Sequence, residues 1–265
     1  MTSSNPDLLA SVAQWLAEGG GVLAMSGPQG AGKSTLCKTF AAHAGADVLV
    51  LALDDFYLNR AERAQLAARV SPLFAVRGPP GTHDVARLVD VIGRLRAGDV
   101  GVRIPRFDKR NDDREPPEAD RVTVAPVRVV VLEGWCVGAR APDDFVTSAA
   151  LNAVERGDRD GAWRAAQAAA LRGPYAHIWG GIDRFAHLQA PGFESVQAWR
   201  TQQEADNQGV PLSHLSEERR AFVAHFIQHY ERLTRAMARG WRAPGAWFQL
   251  DATRALVERG LDPGV

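Results

Sequence analysis

Apolar positions along this chain fall into two rhythms. Largely apolar runs occur at 20–25, 47–53 (DVLVLAL) and 127–132, and 182–188 reads as a further strand. Each is too short for a helix, and the absence of alternation predicts strands buried on both faces. Residues 122–125 form a further apolar stretch, and 247–250 read as a last strand. Helical spacing predicts helices over 8–16, 33–43, 60–69, 193–207, 217–239 and 253–259, with a longer helical region over 148–176. Another helix is capped by Asp84, runs to Arg96 and stops near Gly98. Residues 70–82, with three Pro and two Gly, and 104–120, charged with both signs, read as loops. Strands alternating with helices predict an α/β fold: a mostly parallel, doubly wound sheet with helices on both faces. One domain over 1–265 is expected, carrying a helical lid and an insertion around 148–180.

Composition narrows the function classes. A chain of 265 residues, 46% hydrophobic, can bury a core without metal or disulfide staples. Basic and acidic residues balance at 31 each, and no basic cluster of the kind nucleic acid requires is present. Cys37 and Cys136 are too few for a disulfide framework or a zinc site, so a reduced, cytoplasmic compartment is expected. Residues 1–7 are polar and carry no signal-peptide core. No apolar run approaches the roughly 20 residues of a membrane span, so no membrane partner is expected.

The chemistry begins at Gly27-Pro28-Gln29-Gly30-Ala31-Gly32-Lys33-Ser34, which fits G-x-x-x-x-G-K-S between a strand and a helix. Glycines let backbone N–H groups crowd a phosphate without Cβ clashes, and the helix N-terminus adds its positive dipole end. Gly27, Gln29, Gly30, Ala31, Gly32, Lys33, Ser34 and Thr35 are therefore expected around the phosphates of ATP. Lys33 would reach the β- and γ-phosphates, and the Ser34 hydroxyl would bind Mg²⁺. Ligands of open parallel sheets sit at the carboxyl ends of strands. Two strands here end in acids, one giving Asp54-Asp55-Phe56-Tyr57 and the other Glu133. Phosphoryl transfer needs one carboxylate on the acceptor hydroxyl and another on the metal, which assigns Asp54 as base and Glu133 to Mg²⁺. One of the two adjacent aspartates is a cap or turn residue instead.

The motifs GPQGAGKST, LDDFY, RGPPGTHD, IPRFDK, VLEGW and WRTQQE, spread from about Gly21 to Asp251, resemble plant-type D-glycerate 3-kinase and its bacterial relatives. That group stands with uridine kinase, phosphoribulokinase and pantothenate kinase among P-loop kinases. The resemblance implies the P-loop NTPase fold and transfer from ATP to a small hydroxyl acceptor, D-glycerate first among them, yielding 3-phosphoglycerate. It implies an acceptor site of Asp54, Tyr57, Arg77, His83, Arg106, Asp108 and Lys109, with Asp84 in the same loop as His83. It also implies a catalytic lid arginine at Arg200 beside Lys33.

Weighed by chemistry alone, these residues keep blander alternatives. Arg77, Arg106 and Arg200 suit anions because the guanidinium bonds bidentately, yet the chain is rich in surface Arg. His83 either orients a hydroxyl or caps the helix near Asp84. Lys109 stands out as one of only three lysines. Trp199 is expected in packing, and Glu194 and Glu204 on solvated helix faces. A nucleoside- or pantothenate-type kinase would want an aromatic acceptor pocket. A GTPase would need N-K-x-D, and a transporter ATPase L-S-G-G-Q; neither is present. A regulatory protein that only binds nucleotide is disfavoured by Lys33, Asp54 and Glu133 together. The oligomeric state is left open.

Overall fold

The computed structural model describes residues 6–265. Its strands are β1 (Gly21–Ser26), β2 (Val48–Ala52), β3 (Arg103–Ile104), β4 (Phe107–Asp108), β5 (Asp113–Arg114), β6 (Arg121–Val122), β7 (Val129–Glu133), β8 (Arg184–Gln189), β9 (Ala246–Leu250) and β10 (Leu256–Leu261). Its α-helices are α1 (Pro6–Ala17), α2 (Lys33–Ala44), α3 (Arg60–Arg69), α4 (Val85–Arg96), α5 (Ala153–Gly157), α6 (Ala162–Ala170), α7 (Ala176–Trp179), α8 (Phe193–Gln208), α9 (Glu217–Phe226) and α10 (Glu231–Ala238). Six strands make the central sheet in the order β10-β9-β8-β1-β7-β2, parallel throughout except for β10. This is the P-loop α/β architecture.

The unbroken apolar runs follow from that layering. Along β1, Val22 and Ala24 enter one core while Leu23 and Met25 enter the other, and Val130 and Leu132 alternate with Val129 and Val131 along β7 in the same way. With both faces covered, neither parity can be polar. One face packs on Leu8, Val12 and Leu16 of α1 and on Leu36 and Phe40 of α2. The other packs on Leu88, Val91 and Leu95 of α4, Phe193 and Val196 of α8, and Leu233 and Met237 of α10.

Four local expectations change. Residues 253–259 are not a helix; most of that stretch is β10, paired antiparallel with β9. The turn between them is built by the Asp251 carboxylate, which accepts from the Thr253 and Ala255 amides at 2.8 and 2.9 Å, and Arg254 adopts φ +70°. The helix expected over 217–239 is interrupted by a 3-10 turn, Ile227–Tyr230, which aims the Tyr230 hydroxyl at the Arg77 carbonyl 2.7 Å away. The region 148–176 divides into α5, α6 and a π-helical turn, Leu171–Tyr175, where Gly173 leaves helical geometry. The loop over 104–120 includes β4 and β5, which pair with each other, while β3 pairs with β6. Among the described residues, no helix is long and apolar enough to cross a membrane.

Three histidines lie inside this fold, His83 and His229 at 5% exposure and His187 at 3%, and burial pushes His229 down to about 4. Burial pushes His83 down to about 4, and burial aided by the Arg242 and Lys33 charges pushes His187 down to about 3. The unfolded chain protonates them near the ordinary value, so between that value and the native ones it binds more protons than the native state. Stability is then full above about pH 6.5 and lost as pH falls, by roughly 1 to 1.5 kcal/mol per histidine at pH 5.5. Urea unfolding at pH 7.5 and 5.5 reads this directly, and His187→Gln should reduce the difference by one histidine's share. Equal stability at the two pH values would contradict the buried neutral state.

Candidate active site

The parallel register brings the ends of β1, β7 and β2 to one edge, with Met25 beside Glu133 and Ala52 on the other side of it. From β1 the chain turns through Gly27, Gly30 and Gly32, at φ +149°, +75° and +91°, into α2. A Cβ on Gly27 would sit 2.8 Å from the Leu188 Cβ, and one on Gly30 would sit 2.6 Å from the Trp199 Cβ. Neighbours thus demand glycine at those two positions. Gly32, the left-handed N-cap of α2, faces open space and makes no side-chain cap. The first N–H groups of α2 are left for an anion.

Lys33 is 9% exposed, and its Nζ donates to the Pro28 carbonyl at 2.9 Å. Burial lowers its pKa, opposed by the Glu133 and Asp54 charges. Ser34 Oγ donates to Glu133 Oε1 at 2.6 Å. Burial raises the Glu133 carboxyl, against the pull of Lys33 and Ser34.

The turn Leu53–Phe56 after β2 separates the two aspartates. Asp54 Oδ2 receives Lys109 Nζ at 2.6 Å, and its Oδ1 receives the Tyr57 hydroxyl at 2.8 Å. Burial works to raise Asp54, but the Lys109 ammonium, with Tyr57 and His83, outweighs it and holds the carboxyl well below the usual range. Asp55 instead meets the Phe107 amide at 3.4 Å, and burial raises it. The Tyr57 ring stacks on His83 at 4.6 Å and meets Phe107 edge-on at 5.1 Å. His83 shares a bond of 2.6 Å between its Nδ1 and the Tyr175 hydroxyl, while its Nε2 is buried without a partner among the described residues. The helix cap is Asp84, which accepts from the Arg87 amide at 3.1 Å, so His83 is not needed for capping.

The remaining expected residues separate into two groups. Arg77 lies on this side, ion-paired with Asp112, its guanidinium 5.6 Å over the Phe107 ring. Three others are engaged elsewhere or have no partner among the described residues. Arg106 is exposed, with no side-chain hydrogen bond or ion pair among the described residues. The Asp108 carboxylate turns back on its own loop, accepting from the Arg110 and Asn111 amides at 2.8 and 3.2 Å. Arg200 pairs with Glu204 at 2.9 Å. Glu204 itself is no solvated face residue: it is 4% exposed and also takes Arg219 at 2.7 Å. Glu194 is exposed as expected.

Sequence reasoning passed over Arg63, which is buried, shares Asp112 with Arg77, and binds the Leu58 carbonyl at 2.7 Å. It also passed over Tyr175 and Arg254. Arg254 Nε donates to the Gly30 carbonyl at 2.6 Å and its guanidinium lies 5.3 Å over the Trp199 ring, while Trp199 Nε1 donates to the Ala252 carbonyl at 2.7 Å. Nothing local marks these residues, because their partners lie far away along the chain.

No protein-family model matches the chain. It is 32% identical over 225 residues to the uncharacterized kinase mug58 of Schizosaccharomyces pombe, covering 79% of this chain and 78% of that protein. It is 30% identical over 121 residues to uridine kinase of Chlamydia pneumoniae, covering 44% of this chain and 49% of that one. Among solved structures, D-glycerate 3-kinase from Cryptococcus neoformans matches with a TM-score of 0.77 at 23% identity, covering 96% of this chain and 99% of that one. The YGR205w protein matches with a TM-score of 0.68 at 22% identity, covering 96% and 95%. The chain belongs to the P-loop kinase family that includes mug58.

Proposed function

We propose that this kinase transfers the γ-phosphoryl group of ATP, bound with Mg²⁺, to the primary hydroxyl of D-glycerate, giving 3-phosphoglycerate. The observation that carries the reading is the position of Asp54: ionised, tied to Lys109 and Tyr57, and within electrostatic reach of Lys33 across the same strand edge. Each Asp54 oxygen accepts one bond and keeps a further lone pair, enough to receive the acceptor hydroxyl and then its proton. Ser34 and Glu133 offer hard oxygen donors side by side, a fit for Mg²⁺, which takes few protein ligands and completes its shell with water and phosphate. Held by Ser34 and Glu133, the ion would supply positive charge that offsets the negative charge of the phosphates. Lys33 would leave the Pro28 carbonyl for the phosphates.

The acceptor side favours a small anion. Lys109 and Arg77 bring positive charge to a site walled by Tyr57, Phe107 and His83. A ligand of so few atoms gains affinity mainly from charge-assisted bonds. Arg77, presented by Asp112, is the residue proposed for the carboxylate, and His83 Nε2, buried and unmatched, for a hydroxyl. Arg77→Ala is therefore expected to raise KM for D-glycerate at least about ten-fold more than KM for ATP. Phosphorylation of D-glycerate, glycerol, uridine and pantothenate measured in parallel tests the acceptor. Glycerol should be a poor acceptor, because it offers Arg77 no carboxylate and forgoes the charge-assisted bonds that D-glycerate would gain. Turnover of uridine or pantothenate with none of D-glycerate would overturn the acceptor and leave the kinase class intact.

Arg254 supplies a test of the nucleotide side. Its bond to the Gly30 carbonyl fixes one peptide of the phosphate loop. Arg254→Ala should raise KM for ATP by about 10- to 100-fold, the worth of one charge-assisted bond, while KM for the acceptor stays put. An unchanged KM for ATP would show that the loop holds its shape unaided.

A further inference from the structure

A cavity of about 690 Å³ opens where β8 and β9 begin, lined by Arg184, Phe185 and Gly245 among others. The phosphate loop, which follows β1, lies against Leu188 at the opposite end of β8. Six residues of β8 put roughly 20 Å between the two places. The volume is that of a small-molecule site, and nothing in the proposed phosphoryl transfer uses it.

Most polar groups on its wall are already satisfied. Asp183 Oδ2 accepts from the Val22 amide at 2.7 Å. Arg184 bonds the Trp15 carbonyl and Glu18 and lies 4.2 Å over the Trp15 ring. Trp15 Nε1 donates to the Phe185 carbonyl at 3.1 Å. One accessible donor is left over, and one buried donor lies behind the wall. The Arg140 side chain is exposed and has no hydrogen bond or ion pair among the described residues. Trp179 is more than nine-tenths buried, and its Nε1, closed off from solvent, has no partner among the described residues. Around them stand the flat or aliphatic surfaces of Trp15, Trp179, Leu171 and Phe185.

We propose that this cavity binds a small organic anion with a flat apolar body, held by Arg140 and stacked against the aromatic wall that includes Trp179, and that its occupancy is felt on the acceptor side. The link is the π-helical turn Leu171–Tyr175 with α7. Leu171, Ala176 and Trp179 face the cavity. Tyr175, between them in the chain, receives the Gly81 amide at 3.0 Å and bonds His83 at 2.6 Å. The Trp179, Tyr175 and His83 rings are in edge-to-face contact in series, at 5.8 Å for each pair. A ligand that repositions Trp179 therefore moves the hydroxyl that holds His83. π-turns inside helices recur at sites with such roles. The transmission to catalysis rests on the acceptor site proposed above; the binding does not.

The probe is anilinonaphthalene sulfonate, an aromatic anion, titrated by fluorescence into the full chain with the phosphate loop saturated by a non-hydrolysable ATP analogue and Mg²⁺. One saturable site is expected. Arg140→Glu and Ala176→Phe, both at exposed positions and checked for unchanged melting, should each weaken binding at least about ten-fold, and Trp179→Phe several-fold. Hydrogen exchange at the Gly81 amide should change with occupancy, whatever the acceptor proves to be. Affinity unaltered in Arg140→Glu and Ala176→Phe, or binding without saturation, would overturn the site. Saturable binding with Gly81 exchange unmoved would overturn the transmission.

Discussion

Lys33→Ala is expected to lower kcat by about 10³-fold or more while the protein folds as before. Lys33 brings a positive charge into a buried space that also holds Glu133 and Asp54. Phosphates entering that space add more negative charge, and without the ammonium the three would repel one another. The backbone N–H groups of the loop and the Mg²⁺ proposed at Ser34 and Glu133 cannot replace a cation that follows the transferred group. Stability should respond differently. Burial depresses the Lys33 pKa, so the native state already bears a cost for keeping this ammonium dry. Its removal is expected to leave the melting temperature within a few degrees of the parent. A coupled kinase assay beside a thermal melt tests both halves. Turnover within ten-fold of the parent, or turnover independent of divalent metal, would refute the mechanism; a large fall in melting temperature would show that the loss is one of folding.

Asp54→Asn should cut kcat by about 10²- to 10⁴-fold with little change in KM for ATP, whereas Asp55→Asn should cost under about ten-fold. The two side chains are adjacent in sequence and differ in surroundings. Asp54 holds Lys109 and Tyr57, and its charge is favoured so strongly that the carboxyl stays ionised through the physiological range. The amide of Asn cannot take a proton from a hydroxyl and leaves Lys109 without its counter-charge. Asp55 accepts one long bond from the Phe107 amide, which the Asn oxygen can also accept, and burial already disfavours its charge. Steady-state kinetics on the two variants distinguishes them. If Asp55 is the sensitive position, the base has been assigned one residue out of register.

What the sequence determined by itself is whatever depends on near neighbours. Runs such as DVLVLAL specify doubly covered strands, because a parallel sheet between two helical layers accepts no polar parity. Glycine spacing before Lys33 and Ser34 specifies the phosphate loop, and carboxylates at the ends of β2 and β7 reach the same edge once those strands are parallel. Asp84 was legible as a cap because capping spans three residues. Partners distant in the chain were not legible. Residues 253–259 have helical spacing, yet β9 offers an open edge, and its hydrogen bonds make most of that stretch β10. Glu204 looks solvent-facing on α8 until Arg219 arrives from α9 to pair with it beside Arg200. The same is true of Arg254 against Gly30, Arg63 and Arg77 against Asp112, and Tyr175 against His83. In each case a buried donor or charge is stable only beside a specific acceptor, and only the packed chain decides which acceptor that is.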